Sequence, residues 1–203
     1  MIAIIDYDVG NVSAIANMLH RVGALSAVTS DPAIIREANG IILPGNGAFD
    51  PCMRNLRASG LLPLLERRVL HDRIPLLGIC VGAQMLGHAS EEGSEPGLGW
   101  LNVRVKRFPD TPGLPVPHMG WREVCQRNGE HALTQGMAAE SRFYFVHSYF
   151  LVPVDRSDIL MTSCYGIEFA AAVAHANLCG VQFHPEKSHR FGKCLLRNFA
   201  KAL

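Results

Sequence analysis

Short apolar runs alternate with segments of helical period over the first part of the chain. Residues 2–5 read as a strand, a turn follows at Gly10-Asn11, and residues 12–22 carry a helical period. A second strand is expected near 25–28 and a third at 40–43, closed by the turn signal Pro44-Gly45-Asn46-Gly47. Helical patterns at 48–58 and 61–71 lead to an apolar run at 74–79, after which a helix opens near Val81. Strand, turn and helix in succession predict parallel βαβ units and an open sheet covered on both faces. The second half differs. Segments near 101–108, 121–125, 142–147, 158–164, 169–174 and 178–183 read as strands joined by short turns, an antiparallel region attached to the parallel sheet. Beyond Pro185 the pattern predicts a closing amphipathic helix with Phe191, Leu195, Leu196 and Phe199 inward. The expected fold is α/β: an open, mostly parallel sheet flanked by helices, with antiparallel strands in the C-terminal half.

Composition narrows this picture. A chain of 203 residues suits a single domain over 1–203, and 48% apolar with 18% charged residues suits a packed core. The formal charge of +1, with no basic run interleaved with aromatics, gives no reason to expect a nucleic-acid partner. Asp6 and Asp8 interrupt the apolar start, so a signal peptide is not expected. The uncharged stretch 169–183 is too short and, with His175, Asn177 and Gln182, too polar to span a bilayer. A cytoplasmic protein without membrane attachment is expected. The six cysteines are irregularly spaced and form no C-x-x-C pair, which favours neither a zinc site nor a disulfide framework. Most should be free, buried and inert, and no metal or cofactor is called for.

One cysteine stands in a different context. Gly78-Ile79-Cys80-Val81-Gly82 places a thiol where an apolar strand meets a helix, the nucleophile-elbow pattern with Cys in place of Ser. Flanking glycines suit a tight, strained turn in which side chains would collide with neighbouring backbone. The helix start aims N–H groups at the sulfur, which favours a thiolate and offers an amide to an oxyanion. A buried core cysteine is the plain alternative. A cysteine nucleophile needs a base, and His184 is the outstanding histidine. It ends the apolar run Gly180 to Phe183 and is followed by Pro185 and Glu186. In extended chain, i and i+2 project to one side, and the proline biases His184 toward that geometry. Glu186 could hold the imidazole while His184 faces Cys80, since sites in open α/β sheets lie at the carboxyl ends of strands. A surface His-Glu pair is the alternative here. His20, His71, His131 and His189 lie in polar or helix-edge contexts, whereas the apolar neighbours of His118 and His147 mark them as polar groups near a site.

Taken together, LLGICVGAQML and VQFHPEKS resemble the class I, or triad, glutamine amidotransferases. IDYDVGN, LPGNGAF, SEEG with GLG, VPHMGW and FYFVHSY occur in the order seen in one branch, the glutaminase subunits of imidazole glycerol phosphate synthase. The resemblance runs nearly end to end. It implies that Cys80 attacks the glutamine carboxamide, that His184 shuttles protons and that Glu186 orients it. It further implies an oxyanion hole from Val81 and the Gly45-Asn46-Gly47 strand, and a glutamine pocket with Gln84, Glu92, Ser148 and Tyr149. Asn11, Trp121 and Lys187 match positions near a partner interface and ammonia route. The implied partner is a cyclase subunit with a (β/α)8 barrel, docked as a heterodimer. Asp8, Asn46 and Arg122 depart from the usual residues, and the Pro-Gly usual after GLG is missing. These departures spare the three catalytic positions and leave the acceptor open. A paralogous subunit feeding ammonia to a sugar amidotransferase in surface-polysaccharide synthesis is the alternative. A stand-alone cysteine hydrolase or an inactive interaction module is more remote.

Overall fold

The computed structural model describes residues 1–127 and 131–203. Its strands in chain order are β1 (Ile2–Ile5), β2 (Ser26–Thr29), β3 (Gly40–Leu43), β4 (Leu76–Ile79), β5 (Val103–Arg107) and β6 (His118–Glu123). The remainder are β7 (Cys125–Gln126), β8 (Arg142–His147), β9 (Tyr149–Pro153), β10 (Ile159–Tyr165), β11 (Ile167–His175) and β12 (Leu178–Val181). The main sheet runs β2-β1-β3-β4-β12-β11-β10-β7, with β9 and β5 branching from β11. Pairing is parallel from β2 through β12 and antiparallel beyond it. The inner strands IAII, GIIL, LLGI and LCGV are buried at every position. A strand covered on both faces cannot alternate with polar residues, so these read as continuous apolar runs.

The helices are α1 (Val12–Arg21), α2 (Pro32–Glu37), α3 (Phe49–Ala58), α4 (Leu62–Glu66), α5 (Val81–Met85) and α6 (His189–Lys201). α1 buries Ile15, Met18 and Leu19, one stripe at helical spacing, and ends on His20 and Arg21, charges suited to a helix C-terminus. Asp31 caps α2 by accepting from the Ala33 N–H at 2.8 Å, with Pro32 in the first turn. α6 buries Leu195, Leu196 and Phe199 as expected, while Phe191 is only partly covered. No helix among the described residues is long and apolar enough to cross a membrane.

Several expectations shift. The pattern at 61–71 is α4 followed by a π-helical turn, Arg67–His71. Arg68 in that turn donates to both Asp72 and the Ala38 carbonyl. The strand expected at 142–147 is β8, and it is followed directly by a strand that was not expected, β9. β8 pairs with β6 in a separate two-stranded sheet, and at Ser148 the chain crosses into β9 of the main sheet. The strand expected at 121–125 is two pieces, β6 and β7, in different sheets. The cysteines are all free, but only Cys52, Cys80 and Cys179 are buried. Cys125, on the edge strand β7, and Cys164, near the end of β10, are exposed, and Cys194 is half-buried.

Candidate active site

The sheet register brings the thiol and the imidazole together. β4 and β12 are parallel neighbours with Ile79 opposite Val181, so Cys80 and His184 both leave the same edge of the sheet. The Cys80 N–H donates to the Val181 carbonyl at 2.8 Å, which carries the ladder one step further before the chains part. On the other side of β4, β3 ends at Leu43 and delivers Gly45-Asn46-Gly47 to the same edge.

Cys80 takes φ 54° and ψ −115°, a strained backbone for a side-chain-bearing residue. The glycines around it are explained by contact. A Cβ on Gly82 would sit 2.1 Å from the Leu43 carbonyl oxygen, and one on Gly78 would sit 2.7 Å from the Ala83 Cα. A Cβ on Gly45 would sit 2.1 Å from the Gly82 nitrogen, so the β3 loop lies directly against the first turn of α5. In that turn the Ala83 and Gln84 N–H groups donate to the Cys80 carbonyl at 3.0 Å and 3.2 Å, which leaves the Val81 N–H, first in the helix, beside the sulfur without an intrahelical acceptor.

His184 and Glu186 are 3% and 1% exposed, and His184 Nδ1 meets Glu186 Oε1 at 2.8 Å. The Nδ1–H therefore donates to the carboxylate, leaving Nε2 as the nitrogen not engaged by Glu186. Nε2 is buried without a partner of hydrogen-bond geometry. Burial alone pulls the imidazole pKa down, but the proximity and charge of Cys80 and Glu186 outweigh it and push it up to about 10. The His184 backbone is fixed from two sides: its N–H donates to the Tyr144 carbonyl at 2.9 Å and its carbonyl accepts from Ser188 Oγ at 2.6 Å.

Cys80 opens onto a cavity of about 200 Å3 whose wall includes Asn46, Gly47, Val81, Gln84, Glu92, Ser148 and Tyr149, all residues expected from sequence to form the oxyanion hole and substrate pocket. Glu92 Oε2 accepts from the Phe49 N–H at 2.9 Å; burial holds its carboxyl above the usual range, partly offset by that bond. The Gln84 amide nitrogen donates to the Tyr149 carbonyl at 3.0 Å and to Gln182 Oε1 at 3.1 Å, so its oxygen is the atom left for a ligand. Asn46 uses its side chain on its own loop, accepting the Gly47 N–H at 3.0 Å, while its carbonyl accepts from Cys52 Sγ at 3.3 Å.

The three residues expected at a partner surface lie on three elements, β6, the Pro185–Lys187 turn and the start of α1. Trp121, 38% exposed on β6, stacks on His189 with centroids 5.5 Å apart, and lies 6.2 Å from Tyr144, over which the Lys187 ammonium sits at 5.8 Å. Asn11 is exposed at the start of α1, whose body packs against the Pro185–Lys187 turn.

Sequence reasoning missed Gln182, fully buried, whose Nε2 lies 3.9 Å from Cys80 Sγ. An uncharged amide inside an apolar run, two residues before His184, was the available signal. It also missed Cys52 and Tyr7. The Tyr7 hydroxyl donates to the Pro44 carbonyl, and burial followed by the charges of Cys52 and Cys80 raises its pKa. Nothing in their local sequence distinguishes either from core residues.

Comparison with known proteins agrees with this geometry. The family described as glutamine amidotransferase class-I matches residues 3–203. Imidazole glycerol phosphate synthase subunit HisH 2 of Pseudomonas aeruginosa is 50% identical over 201 residues, 99% of each chain. The protein of that same name in Methanococcus maripaludis is 46% identical over 201 residues, again 99% of each. Among solved structures, a glutamine amidotransferase superposes with a TM-score of 0.76 at 18% identity, covering 98% of this chain and 97% of that one. Another glutamine amidotransferase, from Thermotoga maritima, gives 0.64 at 19%, covering 100% of this chain and 83% of that one. The structures carry the fold, the sequence relatives carry the lineage, and the chain belongs to the class-I glutamine amidotransferase family, in its branch of HisH subunits.

Proposed function

We propose that this chain hydrolyses glutamine to glutamate and ammonia and delivers the ammonia to a separate cyclase subunit that makes imidazole glycerol phosphate in histidine biosynthesis. The observation that carries the chemistry is the buried Cys80, His184 and Glu186 at the carboxyl ends of paired parallel strands. The end-to-end likeness to HisH subunits supports the acceptor pathway.

The mechanism follows from the groups in place. Cys80 Sγ attacks the carboxamide carbon of glutamine, and the oxyanion is held by the Val81 N–H and an N–H of the Gly45–Gly47 loop. His184, protonated at Nε2 and held through Nδ1 by Glu186, gives its proton to the departing nitrogen, so the C–N bond breaks and ammonia leaves. The γ-glutamyl thioester remains. His184, now neutral, takes a proton from water as it attacks the thioester carbonyl, and glutamate departs with Cys80 restored. Glu92, Gln84, Ser148 and Tyr149 hold the amino acid, with Gln84 acting through its oxygen. The domain houses this half-reaction. A docked (β/α)8 cyclase, met through the Trp121, Lys187 and Asn11 surface, would keep ammonia from protonating and diffusing away. The Pro44–Gly47 loop is the element that docking would switch, since its peptide groups are tied to Asn46 and Cys52 side chains in this state.

Glutaminase and ammonia-transfer rates, measured with and without the cyclase and its phosphoribosyl substrate, test the proposal. Turnover should be weak alone, strongly raised in the loaded complex, and abolished by Cys80→Ser. Full activity of the isolated chain would overturn the switching role, and no glutamine turnover in the complex would overturn the function.

A further inference from the structure

The Tyr149 carbonyl sits at the crossing from β8 to β9 and accepts two side-chain donors, Gln84 Nε2 at 3.0 Å and His147 Nδ1 at 2.7 Å. A carbonyl oxygen can only accept, so it dictates the orientation of everything bonded beyond it. On one side, Gln84 must present its NH2 group, Gln182 must turn its oxygen toward Gln84 at 3.1 Å, and the Gln182 NH2 is left facing Cys80 Sγ at 3.9 Å. On the other side, His147 carries its proton on Nδ1 and exposes a lone pair at Nε2. His118 Nδ1, 3.1 Å away, must then be the protonated nitrogen, and His118 Nε2 is a bare acceptor. That last atom is buried with no partner, as the chain of directions requires of its end.

We infer that the Tyr149 carbonyl sets the polarity of a buried network that delivers a Gln182 N–H to the Cys80 sulfur, with His118 and His147 as positioning residues that hold the carbonyl in place. The inference rests on Cys80 being the nucleophile of the proposed reaction. It adds Gln182 as a donor to the reacting sulfur. Ser148 lies outside both strands, and these side-chain bonds add to the one backbone bond its carbonyl accepts, from the Phe108 N–H at 3.0 Å, in fixing this crossing. The imidazoles are suited to the task because burial keeps them neutral, pulling His118 down to about 4 and His147 to about 3, the latter opposed by its bond to Tyr149. His118 is clamped flat between Tyr165 and Phe145, with ring centroids 4.1 Å and 5.2 Å away. An N–H aimed at sulfur stabilises the thiolate over the thiol. The titratable groups around the sulfur are His184 and Glu186 beyond β12, Cys52 on α3, Tyr7 after β1, and Glu92 and His147 in the cavity wall. Gln182 itself does not titrate, so replacing it isolates the donor.

The test is the pH profile of Cys80 alkylation by iodoacetamide on the full chain, followed at the Cys80 peptide by mass spectrometry because Cys125 and Cys164 are also accessible. Gln182→Met keeps the volume and removes the donor. Its rate at neutral pH should fall at least about fivefold while the alkaline plateau is retained. Should the methionine variant fail to fold, Gln182→Glu keeps the shape and puts an acceptor against the sulfur, with a larger shift expected in the same direction. Nitrogen-15 NMR of the wild-type chain should report Nδ1–H tautomers for both His118 and His147. His118→Phe fits the same aromatic box, should fold, and should move the alkylation profile about twofold in the direction of Gln182→Met. A profile in folded Gln182→Met or Glu that superposes on wild type, or an Nε2–H tautomer at His147, overturns the inference. None of these readouts uses glutamine, so a failure of the proposed function would be seen separately.

Discussion

At the scale of single residues, burial alone disfavours an imidazolium at His184, yet Cys80 and Glu186 push its pKa above the ordinary value of 6.5, to about 10. The folded state therefore holds a proton that the unfolded chain releases between those two values. Linkage gives the sign: the stabilisation is complete below pH 6.5 and is lost as pH rises through about 10. Urea midpoints measured from about pH 6 to about pH 10.5 should fall more steeply for wild type than for His184→Gln, which has no such proton to lose. Parallel curves would show that the pair is not ionised in the folded state. The same residue shows why part of the site was legible in sequence. Cys80 and His184 announce themselves because glycine and proline must stand beside them, and those needs are local. Gln182 and Cys52 act through atoms 102 and 6 residues away in sequence, at Cys80 and Asn46, and carry no such punctuation.

At the scale of elements, the His184–Glu186 turn is held from behind by α6. A Cβ on Gly192 would sit 1.8 Å from the Pro185 carbonyl oxygen and 2.7 Å from its carbon, so the helix lies on the His184–Glu186 turn with no room for a methyl group. Ser188, just before α6, bonds both the Tyr144 N–H and the His184 carbonyl. Gly192→Ala should cost about 1–3 kcal/mol in stability, as overpacking does. It should also lower glutaminase kcat in the folded fraction, because the overlap is relieved by moving the base. Thermal denaturation paired with active-site titration separates the two effects. Wild-type kcat per active site would mean that the helix, not the turn, gives way. The helix itself was legible from its apolar stripe. Its contact with the turn was not, since Gly192 reads as an ordinary helix-weakening residue until the facing carbonyl is known. β9 went unread for a related reason: the aromatic run continues past residue 147 without a glycine or proline at the break, and only the pairing with β5 and β11 shows that a second strand begins there.

At the scale of the molecule, parallel order and the carboxyl-edge position of the site follow from the periodicity of the first half, because βαβ units allow few arrangements. What periodicity does not encode is a surface meant for another chain. Trp121 and Met119, 38% and 62% exposed, stand on the two-stranded β6–β8 sheet outside the main sheet, and Lys187 lies over Tyr144 beside them. Trp121 is not loose: it stacks on His189 at an interplanar angle of 4°, with the Arg142 guanidinium 5.9 Å from its ring centre. A large ring held flat and half open, on the strand paired with β8, whose Tyr144 carbonyl takes the His184 N–H, is the form of an interface anchor. If this surface meets the cyclase, Trp121→Ala should weaken the complex by about tenfold or more, about 1.4 kcal/mol or above, as hot-spot truncations do. Alkylation of Cys80 in the isolated chain should be unchanged, since no bond in the network around the sulfur runs through Trp121. Calorimetric titration of the variant with the cyclase gives the first quantity, and the alkylation profile controls for the second. An unaltered affinity would place the docking surface elsewhere and leave the Cys80 chemistry intact.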